Sequence, residues 1–96
     1  MILKGIISTH TDCDREEIIN KILELVKKLC ITVDDKEEII DYINYNEYGI
    51  AFEVLCSIIE QENITVSCDD FKIIEKLGMT MNFDRRLWNK ICKSEN

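Results

Sequence analysis

Apolar side chains recur at intervals of three and four positions from Ile18 to Leu77, and no proline interrupts that rhythm anywhere in the chain. Such a period lays one stripe of a helix against a core, whereas a half-buried strand needs strict alternation. Only three glycines are present, so the chain also lacks the residues that close tight hairpins and sandwich corners. The sequence is therefore read as all-α, a small bundle of four to five short amphipathic helices forming one domain over residues 1–96. Apolar residues make up 46% and charged residues 32%, the balance of a chain that buries a core and not of a disordered tail.

Along the chain, residues 1–10 fit a helix or a strand equally well. A helix follows from about Asp14 to Leu29, with Asp12 or Asp14 as cap, Glu16 and Glu17 in its first turn, and Lys27 and Lys28 in its last. A second runs over Lys36–Asn44 behind Asp34 or Asp35, turning Ile39, Ile40 and Ile43 inward. The third, Glu47 to about Gln61, carries the broadest apolar stripe (Tyr48, Ala51, Phe52, Leu55, Ile58, Ile59) and a narrow polar edge of Glu53, Ser57 and Glu60. An extended connector, Glu62–Val66, leads to a helix over Cys68–Leu77 with Ser67 and Asp70 as a capping pair and Gly78 at C′. A last helix, Asp84 to about Cys92, turns Leu87, Trp88 and Ile91 inward, with Phe83 as a staple before its cap.

No apolar run approaches the roughly 20 residues that a bilayer span needs, and the N-terminal stretch does not read as a signal peptide. Five cysteines, at 13, 30, 56, 68 and 92, form neither an even framework nor a CxxC pair, which points to a reducing, cytoplasmic setting. Cys30, Cys56 and Cys92 lie among aliphatics, where a thiol acts as a small hydrophobe.

Charge is distributed unevenly. Asp34 to Asp70 holds eleven acids and one base, Lys36, hence −10; the remainder has eight acids and eleven bases, hence +3, which closes on the net −7. This balance disfavours direct binding to nucleic acid phosphates or anionic lipid. Acids at such density repel one another. They form either a solvated surface or a face built to meet a basic partner, where complementary potential speeds encounter. All three tyrosines, Tyr42, Tyr45 and Tyr48, lie in the acidic stretch. Tyr48 belongs to the core stripe, while Tyr42 and Tyr45 either share the outer side of the second helix with Glu38 and Asp41 or serve as half-buried scaffolding.

Motifs for catalysis are sparse. The single histidine, His10, with Cys13 supplies two ligands where a structural zinc needs four. The same two residues lack an orienting third group for nucleophilic catalysis. The run Asp34–Glu38 has neither the glycine nor the alternating oxygens of a calcium loop, and no phosphate-cradling glycine motif is present. Arg85, Arg86, Trp88 and Lys90 read as one core aromatic with solvated bases. Nothing here indicates an enzyme, a cofactor or a metal.

Three stretches carry a family pattern. Asn46-Glu47-Tyr48-Gly49-Ile50-Ala51-Phe52-Glu53-Val54-Leu55-Cys56 is followed by Ile64-Thr65-Val66-Ser67, then by Ile74-Glu75-Lys76-Leu77-Gly78-Met79 and a late Trp88. In this order they resemble the MafI-type immunity proteins, small helical proteins encoded beside polymorphic and contact-dependent toxins. The resemblance covers roughly residues 44–91, about half of the chain.

It implies a cytoplasmic inhibitor of a cognate secreted toxin, an EndoU-like or other small ribonuclease domain, which it blocks without catalysis. Glu38, Asp41, Tyr42, Tyr45, Glu47, Glu53, Glu60 and Glu62 are the candidate contact set, with Glu53 and Glu60 foremost. A monomer is the favoured state. The alternative is a helical adaptor or regulatory subunit that binds a basic host protein. Gly49 is read as a point of close approach by a neighbouring helix.

Overall fold

A computed structural model describes residues 2–91 and 93, with side chains from Arg15 onward. The fold is all-α. Helix α1 spans Ile2–Lys28, α2 Val33–Asn44, α3 Tyr48–Gln61 and α4 Cys68–Thr80, followed by a 3-10 turn at Arg85–Leu87. The ambiguous N-terminal segment is thus helical and continuous with α1, so Asp12, Asp14, Glu16 and Glu17 fall within that helix and do not start it. The side chains of residues 2–14, including His10 and Cys13, lie outside the described residues, as does Cys92.

The core forms where the apolar stripes meet. Ile18, Ile22, Leu25 and Val26 of α1, with Leu29 just beyond its end, share one core with Ala51, Phe52, Leu55, Cys56 and Ile59 of α3, and Ile39 and Ile43 close it from α2. Ile74, Leu77, Trp88 and Ile91 complete it from the C-terminal side. Helix α2 packs more extensively on α3 than any other pair of elements packs together. Ile40, expected inward, is 38% exposed. It stands about 100° around the helix from Ile39, beyond the stripe that α3 covers.

Helix boundaries follow local chemistry. Thr32, not Asp34 or Asp35, caps α2, its Oγ1 accepting the Asp35 N–H at 3.2 Å. The two aspartates instead fall in the first turn, where the helix dipole favours anions. Ser67 Oγ caps α4 in the same way, accepting the Asp70 N–H at 3.0 Å. Three helices then end alike, each on an asparagine with positive φ: Asn46 (63°), Asn63 (53°) and Asn82 (64°). At each, the asparagine N–H and the next N–H return to carbonyls of the last turn. The pairs are Asn46 to Ile43 with Glu47 to Tyr42, Asn63 to Glu60 with Ile64 to Ile59, and Asn82 to Met79 with Phe83 to Gly78. This is the Schellman arrangement, with asparagine in the left-handed position usually taken by glycine.

Gly78 therefore does not terminate α4. It lies inside the helix and is buried, and a Cβ there would overlap the Trp88 indole, 2.6 Å from its Cε3. The small residue exists to admit the ring. Trp88 meets Phe52 edge-on at 6.4 Å, and Phe52 stacks on Phe83 at 5.8 Å. Phe83 thus packs as the residue that closes α4 and not as a staple for another helix.

The expected helix over Asp84–Cys92 reduces to the one 3-10 turn, capped by Asp84, whose Oδ1 accepts the Arg86 N–H at 2.9 Å. A segment this short has little helical stability of its own, and placing Trp88 and Ile91 in the core decides its path. Arg85, Arg86 and Lys90 are exposed. The Glu62–Val66 connector is extended at its end, where Val66 is buried and makes an isolated parallel bridge to Lys93.

Candidate protein-interaction surface

The acidic stretch folds into α2, α3 and the start of α4. Of its eleven acids only Asp70 has an ion-pair partner among the described residues. Asp70 is also the one that is buried, and its Oδ1 accepts from Lys28 Nζ at 2.9 Å, tying α4 to α1. That contact raises the Lys28 pKa, through the hydrogen bond first and the Coulomb attraction second. The other ten carboxylates face solvent or the rim of the core with no internal counter-ion among the described residues.

Along α2 and its C-cap, Glu38, Asp41 and Tyr45 are spaced by three and four and form one exposed line about two turns long. Tyr45 is the most exposed large side chain of apolar character, at 78%. It sits at the end of α2, in the turn held by the Asn46 and Glu47 N–H bonds. Tyr42 does not join this line. It is half-buried against the core, because it follows Ile39 by three and shares the stripe that faces α3.

Within α3, Glu53, Ser57 and Glu60 form the exposed polar edge that their spacing indicated. Both glutamates act on the same buried atom. The Cys56 thiol is pushed up to about 12, by burial above all and then by the fields of Glu53 and Glu60. A thiol so protonated at neutral pH is no nucleophile.

Glu47 is exposed and serves as the N-terminal boundary of α3, without a side-chain capping bond. Glu62 closes the other end of α3. Nine residues from Glu53 and two from Glu60, it falls about half a turn away around the axis, so it leaves their edge. The eight candidate residues thus divide into a line on α2 (Glu38, Asp41, Tyr45), an edge on α3 (Glu53, Glu60), Glu47 in the connecting turn, and the separate positions of Tyr42 and Glu62.

Among the described residues no group of three or more histidine, cysteine or acidic side chains is arranged to hold a metal ion. Likewise no helix is long and apolar enough to cross a membrane. Cys30, expected among the aliphatics, is exposed beyond the end of α1. Compared with known protein families, characterised proteins and solved structures, the chain matches none.

Proposed function

We propose that the chain is a binding protein of the immunity type, which neutralises a basic toxin domain, an EndoU-like or other small ribonuclease, by covering its RNA-binding cleft. The observation that carries this reading is the uncompensated charge: ten acids of one contiguous stretch without an internal ion pair among the described residues. Such a surface costs stability through self-repulsion, and a cationic partner would relieve that cost. A ribonuclease cleft must attract phosphates, so its lysines and arginines suit the same carboxylates. Tyr45, large and exposed beside Asp41, offers the aromatic anchor that interfaces favour.

In this mechanism Glu38, Asp41, Glu53 and Glu60 steer and hold the basic partner, Tyr45 fills a base-sized recess, and the bundle behind them blocks access to RNA. Glu47 lies between the two acidic elements and adds to the same field. The protein itself performs no chemistry. Its setting would be the cytoplasm, where it protects the producing cell.

Co-expression with the toxin domain encoded next to it should restore growth, and the two products should co-purify. Replacing Glu53 and Glu60 together by lysine should weaken the complex at least tenfold, mainly by slowing association, and more so at low salt. A double variant that protects as well as the wild type would remove the acidic-face mechanism.

A further inference from the structure

The opposite side of α2 carries a different kind of surface. Between α1 and α2 runs a groove of about 420 Å3, floored by Leu23, Val26 and Ile40 and walled by Glu24, Lys27 and Lys36. Ile40 is 38% exposed, and Val33, seven residues earlier and so on the same side of the helix, is 67% exposed. Glu37 lies between these two on the same side but does not line the groove, and Ile40 stands about 160° around α2 from Glu38, so the groove is separate from the acidic line.

Charge distinguishes the groove from its surroundings. Glu24 is already engaged by Lys21 at 3.8 Å. Lys27 and Lys36 stand on opposite walls, and neither has an ion-pair partner among the described residues. Lys36 is moreover the single base within the −10 stretch. Both unpaired charges on the walls of an apolar channel are therefore positive, in a protein whose net charge is −7.

We infer that this groove is a second docking surface, which takes an amphipathic helical segment of a partner whose apolar face is flanked by acidic residues. Leu23, Val26 and Ile40 receive the apolar side chains, and Lys27 and Lys36 clasp carboxylates on either flank. The helix-in-groove mode needs only such a floor and such walls. Long-range repulsion from the net charge opposes an acidic ligand, so whatever affinity it has must come from these local contacts. The inference does not depend on the toxin reading, since it uses another face and another partner chemistry.

Two synthetic peptides of about 16 residues, long enough to form a helix, provide the test. They share a leucine stripe at helical spacing and carry either glutamates or lysines beside it. In amide-resolved NMR titrations with the full chain, the glutamate peptide should bind saturably and shift Leu23, Lys27, Lys36 and Ile40. The lysine peptide should shift the Glu53–Glu60 edge instead. Lys27→Gln with Lys36→Gln, at positions that do not build the core, should weaken the glutamate peptide several-fold while the helical circular dichroism is retained, the loss of two cations from an acidic chain lowering the melting temperature only modestly. Ile40→Asp should weaken it as well.

Absence of saturable binding, shifts centred elsewhere, or equal affinity in the double-lysine variant would each overturn the inference. So would concentration-dependent dimerisation through this face in sedimentation, because a second copy would then be its occupant. Loss of toxin protection would bear on the acidic face alone and leave these outcomes unchanged.

Discussion

Gly78 and Gly49 are both helical glycines, and their surroundings assign opposite outcomes to one added methyl group. At Gly78 the new Cβ collides with a buried indole. Gly78→Ala should therefore lose about 2 kcal/mol or more in urea unfolding, the range for overpacking a rigid core. At Gly49 the nearest atom is Phe83 Cζ at 3.7 Å, an ordinary contact. The close helix approach expected there is absent; the neighbour is one aromatic ring with room for a methyl. Gly49→Ala should be neutral or stabilise by up to about 1 kcal/mol, the helix-propensity difference. Thiol reactivity separates two other residues. Native protein should react with maleimide at exposed Cys30 and not at Cys56, whose buried thiol stays protonated, until denaturant is added. The ion pair of Lys28 and Asp70 sets an alkaline limit. The folded-state pKa of Lys28 lies above its ordinary 10.5, so its contribution is complete below that value and lost as pH rises through the raised one. Cys56 works in the same direction from lower pH, because the unfolded thiol ionises near 9 while the buried one resists. Stability measured against pH should fall above about 9, and the later part of that fall should be smaller in Lys28→Met.

Helix ends determine which parts of the acidic stretch are held rigidly. Thr32→Ala and Ser67→Ala should each cost about 1 kcal/mol, the usual loss for a side-chain cap. The loss at Ser67 also loosens the turn that presents Asp70 to Lys28. Asn82→Gly should be tolerated, whereas Asn82→Ala should destabilise by about 1 kcal/mol, because alanine resists the left-handed backbone. Chemical denaturation of the four variants beside the wild type checks these values. The apolar period makes α2, α3, α4 and the second half of α1 legible, while the first half of α1 fits helix or strand equally well; the polar edge of α3 follows from spacing alone. The three asparagine ends carry a weaker signal, although Asn46, Asn63 and Asn82 each follow an apolar stripe. Gly78 carries the stronger terminator signal, since glycine is the usual C′ residue, and nothing local says that a tryptophan ten residues later will occupy its missing side chain.

For the molecule as a whole, ten acids of one stretch with no ion-pair partner among the described residues should make stability depend on salt and on charge. Raising salt at neutral pH should raise the melting temperature, and neutralising Glu53 and Glu60 to glutamine should do so modestly while weakening a basic partner. That pairing of gains and losses is expected where a charged surface is retained for binding. A variant that gained stability without losing the partner would dissociate the charge from function. Helix content, the single core and the segregation of charge are set by the chain itself, because periodicity and composition act locally and need no knowledge of neighbours. Tertiary structure alone decided that Tyr42 turns to the core while Tyr45 stays in solvent, that Ile40 is left beside Lys27 and Lys36, and that the last segment abandons its helix to seat Trp88. Each of these depends on which stripe a distant element covers, and burial is a property of two surfaces meeting, not of either one.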